Sequence, residues 1–143
     1  MSALLPALSL FFVFAAPVFA ESATEPATSG DSNWTFTYLK ATKNHKDALR
    51  QFVEANWFAM DAIAVDRGLF KSYRLIENIT EAESATDKDW DFIVAVEYFG
   101  DQSYVDIRQQ FELIRAAHET VLIEGKTFAD LGKVVRSERV LLH

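Results

Sequence analysis

The sequence predicts an α+β domain. Its elements run strand, helix, strand, strand, helix, strand, and should close into a four-stranded antiparallel sheet with two long helices on one face. Three observations predict this. Apolar and β-branched residues mark short strand-like segments at 34–41, 69–77, 91–99 and 134–142. Apolar residues recur at helical spacing in two longer segments, 43–67 and 104–123. Turn-forming residues, Gly68 and Gly100-Asp101, punctuate the boundaries.

The first twenty residues stand apart from the domain. Met1 to Ala20 has no charged side chain, and Leu8 to Ala16 forms a short apolar core. Val18-Phe19-Ala20 puts small residues at the third and first positions before a cut. This is the form of a secretory signal peptide cleaved after Ala20. A membrane anchor would need about 20 uninterrupted apolar residues, and Pro17 interrupts this run. The expectation is a periplasmic or secreted protein with no stable membrane anchor after cleavage. The chain has no Cys, so an oxidising compartment gives it no disulfide. Residues 21–33 (ESATEPATSGDSN) hold no large apolar side chain and read as a disordered leader. Residues 34–143 make one domain. The net charge of −7 argues against nucleic acid and anionic membrane surfaces as partners.

Each element follows from its residues. In Trp34–Ala41, Trp34, Phe36 and Tyr38 alternate with Thr35, Thr37 and Leu39, which favours a strand. From Lys43 to Arg67, Leu49, Phe52, Val53, Trp57, Met60, Ile63 and Ala64 share one side at about 100° per residue. Gly68 suits a helix C-terminus. Leu69–Glu77 is a second strand, and Asn78–Asp89 an acidic loop. Asp91–Phe99 (DFIVAVEYF) is the most strand-like segment of the chain. Tyr104–Ile123 is the second helix, Phe128–Leu131 a short helical turn, and Val134–Leu142 the last strand.

Both faces of this sheet read as apolar. The helices cover one, so a partner sheet is the simplest cover for the other, and a two-fold homodimer is expected. Glu97, Lys40, Arg74 or Arg139 would supply a polar pair in that contact.

Two polar residues interrupt apolar helix stripes. Ile107, Phe111, Ile114, His118 and Val121 follow one another at alternating spacings of four and three, which puts His118 on the core face. It is either a buried neutral His with one hydrogen-bond partner, a ligand-contacting group, or a metal ligand. Asn56 sits on the apolar side of the first helix, where a buried amide must find partners or cost roughly 1–3 kcal/mol. The two would face one cavity, or Asn56 would bond to backbone. His45, His118 and His143 have no metal-ligand spacing, so no metal site is expected. No Gly-rich phosphate loop and no catalytic signature is present. Asn33-Trp34-Thr35 and Asn78-Ile79-Thr80 are glycosylation sequons, relevant only in a glycosylating pathway.

Residues 34–143 resemble the dimeric α/β-barrel superfamily of ferredoxin-like proteins in element order, element length and the long first helix ending at Gly68. The superfamily includes cofactor-free quinone-forming monooxygenases, haem-degrading monooxygenases, haem-peroxidase relatives and stress-response barrels. The resemblance implies a homodimer with a ligand held between helices and sheet. Phe111–Val121 (FELIRAAHETV) is similar to the haem-degrading and antibiotic-biosynthesis monooxygenase branch around Ala116-Ala117-His118. There the resemblance implies haem, with His118 on iron. That branch carries a Trp where this chain has Arg108, and an Asn on strand one where this chain has Thr37.

The function expected from these readings is an exported protein binding a small apolar or aromatic ligand near His118, Asn56, Trp57 and Thr37. The alternatives are a monooxygenase, cofactor-free or haem-dependent, with His118 its candidate catalytic residue, and a structural dimer without a ligand.

Overall fold

A computed structural model describes residues 32–79 and 89–143. The signal-peptide and leader readings up to residue 31, and the acidic loop at Glu81, Glu83 and Asp87, lie outside the described residues. The elements are β1 (Ser32–Ala41), α1 (Lys46–Phe52), a π-helical turn (Val53–Trp57), α2 (Phe58–Asp66), β2 (Ser72–Glu77), β3 (Phe92–Tyr98), α3 (Tyr104–Ala117), α4 (Phe128–Leu131) and β4 (Gly132–Leu142).

The fold is α+β, with one four-stranded antiparallel sheet in the order β2-β3-β1-β4. β3 and β1 hold the centre because their residues are the most apolar. Every residue from Phe92 to Glu97 is buried. The β1–β4 register slips between Tyr38 and Leu39, where Leu39 pairs with Val134 and leaves Val135 as the extra residue of a bulge.

Side-chain alternation gives the sheet two chemically different faces. Leu39, Phe92, Val94 and Val96 point into a core closed by Leu49, Phe52 and Val53 from the first helix and by Ile107 and Ile114 from α3. The other face carries Trp34, Phe36, Tyr38, Ile93 and Ala95. Trp34, Ile93 and Ala95 are buried, and Phe36 and Tyr38 are half-buried. Arginines lie over its rings, Arg74 on Trp34 at 4.7 Å and Arg136 on Tyr38 at 3.6 Å. Glu97 is buried among them and is held by Lys71 Nζ and Ser72 Oγ, each at 2.8 Å. Burial alone would raise its carboxyl, but these hydrogen bonds outweigh it and hold the group below its ordinary value. Of the other polar residues expected in a contact here, Lys40 pairs with Asp91 at 3.3 Å and Arg139 lies over Tyr104 at 4.0 Å.

The structure corrects two element readings. The first helix is not regular: a π turn at its middle carries one residue more than α geometry allows. The second helix ends at Ala117, six residues short of Ile123 in the sequence reading. His118 takes an extended conformation, φ −79° and ψ 127°, and so caps the helix rather than occupying its middle. The β-branched residues Thr120, Val121 and Ile123 explain the early end, since they disfavour continued helix.

Candidate functional site

A cleft of about 560 Å³ opens between the helices and the core-facing side of the sheet. Its floor is the polar end of that face, with Thr35 and Thr37 of β1, Val94 and Val96 of β3, and Ser137 of β4. Thr37 and Ser137 are opposite each other in the β1–β4 ladder, and their hydroxyl oxygens meet at 3.1 Å. Aromatic rings form the walls: Trp57 from the π turn, Phe70, Tyr98, and Tyr104 and Phe111 from α3. Phe70 packs against Phe111 at 4.9 Å and edge-on to Tyr98 at 5.3 Å, so these walls brace one another. Trp57 stacks on Phe128 at 5.2 Å, which fixes its ring. Arg108, Glu112 and Arg115 of α3 stand on the exposed side, with Arg115 paired to Glu112 at 3.0 Å.

One titratable group lies deep in this cleft. Asp61 of α2 is only 4% exposed, and no hydrogen-bond partner reaches its Oδ2. Burial pushes its carboxyl from the ordinary 3.8 to about 7. A carboxylate without a partner in an apolar setting keeps its proton until the pH is high enough to pay its desolvation. The Tyr98 phenol on the cleft wall is raised too, first by burial and in smaller part by the Asp61 charge, while the nearby Thr35 hydroxyl pulls it down.

Asp61 reaches this place because of the π turn. In an unbroken α-helix it lies at the edge of the stripe set by Leu49 and Val53, while Ile63 lies inside it. One extra residue turns everything downstream back by about 100°. Asp61 and Ala64 are then buried, and Ile63 is 40% exposed. The sequence reading placed Ile63 in the core and passed over Asp61. The signal for it was an acidic residue four positions after Trp57 and three before Ala64, legible only once the helical register is known.

The residues named from the sequence divide into two groups. Trp57 and Thr37 line the cleft. Asn56 and His118 do not line it, and they meet each other instead. Asn56 is 2% exposed and its amide is saturated. Its Nδ2 donates to Phe52 O at 3.0 Å and Val121 O at 2.9 Å. Its Oδ1 accepts from the Val121 N–H at 2.7 Å and from His118 Nε2 at 3.0 Å. Because Asn56 Oδ1 can only accept, His118 Nε2 is the donor in this pairing. The amide thus ties the π turn to the segment after α3, using backbone groups that a continued α-helix would have bonded internally. The arrangement does not fit an iron-bound His118, because Nε2 is already engaged and the ring is outside the cleft lining. Among the described residues, no group of three His, Asp or Glu side chains is placed to hold a metal ion. Also among them, no helix is long and apolar enough to cross a membrane.

Compared with known proteins, the chain matches no family model, and it is similar to no curated protein and no solved structure.

Proposed function

We propose that this is an exported protein that binds a small apolar or aromatic ligand in the cleft between helices and sheet. The observation that carries this reading is the pairing of an aromatic-walled space with one buried, unpartnered carboxyl, Asp61. Ligand sites commonly combine a few hundred Å³ of apolar lining with a small number of placed polar groups. A filled structural core would have no reason to keep an unpaired acid. Thr37 and Trp57 belong to this site, and Asn56 and His118 support the helix that carries it.

The domain is of ferredoxin-like form, and we propose that it dimerises through the sheet face bearing Phe36 and Tyr38. The row of half-buried rings on that face favours this. Sedimentation at micromolar concentration should give twice the protomer mass, and a clean monomer would remove the dimer. Export rests on the apolar segment before Ala20: expressed in a bacterium, the protein should leave the cytoplasm with Glu21 as its first residue. A cytoplasmic product that keeps Met1 would remove it.

Titration with the neutral apolar dye Nile red tests the ligand reading. The dye should bind with saturable fluorescence enhancement, and Thr37→Phe, which fills the cleft floor, should weaken it at least about tenfold, the effect of one lost aromatic contact. Equal binding to Thr37→Phe would overturn the assignment of the cleft. A second reading, a cofactor-free enzyme, draws on the same carboxyl: an acid titrating at about 7 suits proton transfer near neutrality.

A further inference from the structure

We infer that the cleft takes a small primary amine with an apolar or aromatic body, its ammonium group seated on Asp61. This rests on the ligand-binding reading and deepens it by naming the head group. Asp61 Oδ2 is buried, lines the cleft and has no donor. No ion pair of the described residues uses it. Charge taken from water needs a proton or a paired cation, and no Lys or Arg of the described residues supplies one here. An ammonium brings both the charge and three N–H donors. The rings of Trp57, Phe70 and Tyr98 attract a cation on their faces and an apolar body along their lengths.

The other charged and titratable groups set the direction of entry. The Tyr98 phenol of β3, raised by burial, carries no charge near neutral pH. Arg108, Glu112 and Arg115 of α3 are exposed, and Arg115 is committed to Glu112. Arg139 of β4 lies over the Tyr104 ring. The arginines are therefore screened by solvent at the rim, while Asp61 acts in a drier interior. A carboxylic acid would be repelled at the inner end, and an alcohol would offer one donor and no charge.

Seating the ammonium displaces the proton that Asp61 holds below about pH 7. Affinity should fall about tenfold per pH unit below that point and level off above it. Calorimetric titration of the purified chain at pH 8 compares phenethylamine, phenethyl alcohol and phenylpropionate. The amine should bind at least about tenfold tighter than the alcohol, and the acid weakest, since one desolvated charge pair exceeds a neutral hydrogen bond. Asp61→Asn should abolish the preference for the amine and flatten the pH dependence. Phenylpropionate binding tightest, or an amine preference that survives Asp61→Asn, would overturn the inference. Equal affinity for amine and alcohol, both displacing Nile red, would overturn the ammonium seat and leave the cleft as a ligand site. No binding of the three ligands or of the dye would overturn both.

Discussion

His118 Nε2 donates to Asn56 Oδ1 at 3.0 Å, across a separation of 62 residues. The bond joins the C-cap of α3 to the π turn of the first helix, and Asn56 is the more deeply committed partner. Losing the His118 ring leaves Asn56 Oδ1 with the Val121 N–H. Losing the Asn56 amide leaves Val121 N–H and C=O, Phe52 C=O and the imidazole all short of a bond.

The two sites should therefore respond unequally. Asn56→Leu is expected to destabilise the fold by roughly 2–4 kcal/mol, from several stranded polar groups. His118→Leu should cost about 1 kcal/mol, the net worth of one neutral hydrogen bond. The double variant should be less destabilised than the sum. Denaturant midpoints measure all three. Nile red binding by His118→Leu should match the wild type, because His118 lies outside the cleft lining.

Asp61 should make the stability depend on pH. Its folded carboxyl holds a proton more tightly than the unfolded one, so the stability it contributes is complete below pH 4 and declines as pH rises through about 7. Asp61→Asn does not titrate. Relative to the wild type, this variant should gain stability between pH 4 and pH 8 by at most about 4 kcal/mol, the equivalent of a three-unit shift. Melting curves across that range check the sign: a wild type that gains on the variant as pH rises would contradict the buried, unpartnered carboxyl.

Trp57 should report on the cleft. Of the three tryptophans, it alone lines the space. A bound ligand should change its emission, and Trp57→Phe should remove that change while leaving the chain folded, since Phe keeps the stacking on Phe128. A change that persists in Trp57→Phe would place the ligand elsewhere, near Trp34 or Trp90.

Gly132 should tolerate no side chain. It begins β4 with extended backbone, and a Cβ there would lie 2.6 Å from Lys40 O and 2.8 Å from Leu49 Cδ2. Gly132→Ala is expected to destabilise by roughly 1–3 kcal/mol through overpacking. Urea unfolding measures it, and a neutral result would mean that the β1–β4 ladder opens there at little cost.

The sheet was legible in the sequence because strand periodicity is local: Phe92–Tyr98 alternates, is uninterrupted and becomes the buried centre. The short turn Phe128–Leu131 was legible for the same reason, with bounds that match. The site was less so. Trp57 and Thr37 were reached, one from the apolar stripe and one from a family resemblance. Asp61 was not, because its burial depends on a change of helical pitch that no spacing rule encodes. His118 stands out in the sequence as a polar residue on an apolar stripe, but its bond to Asn56 and its position as a cap depend on a contact distant in sequence.

The π turn also bears on how such a cleft can arise and be lost. In its geometry it equals one extra residue in an otherwise regular helix. Removing one residue between Val53 and Trp57 would restore ordinary α pitch, swing Asp61 out toward the flank and bring Ile63 inward. The shortened chain would trade an acid for an isoleucine in its interior and gain cohesion. It would also lose the hold of Asn56 on Val121 and the buried acid of the cleft together. In this protein the irregular turn and the cleft's buried acid depend on each other, and the loss of one residue would remove both.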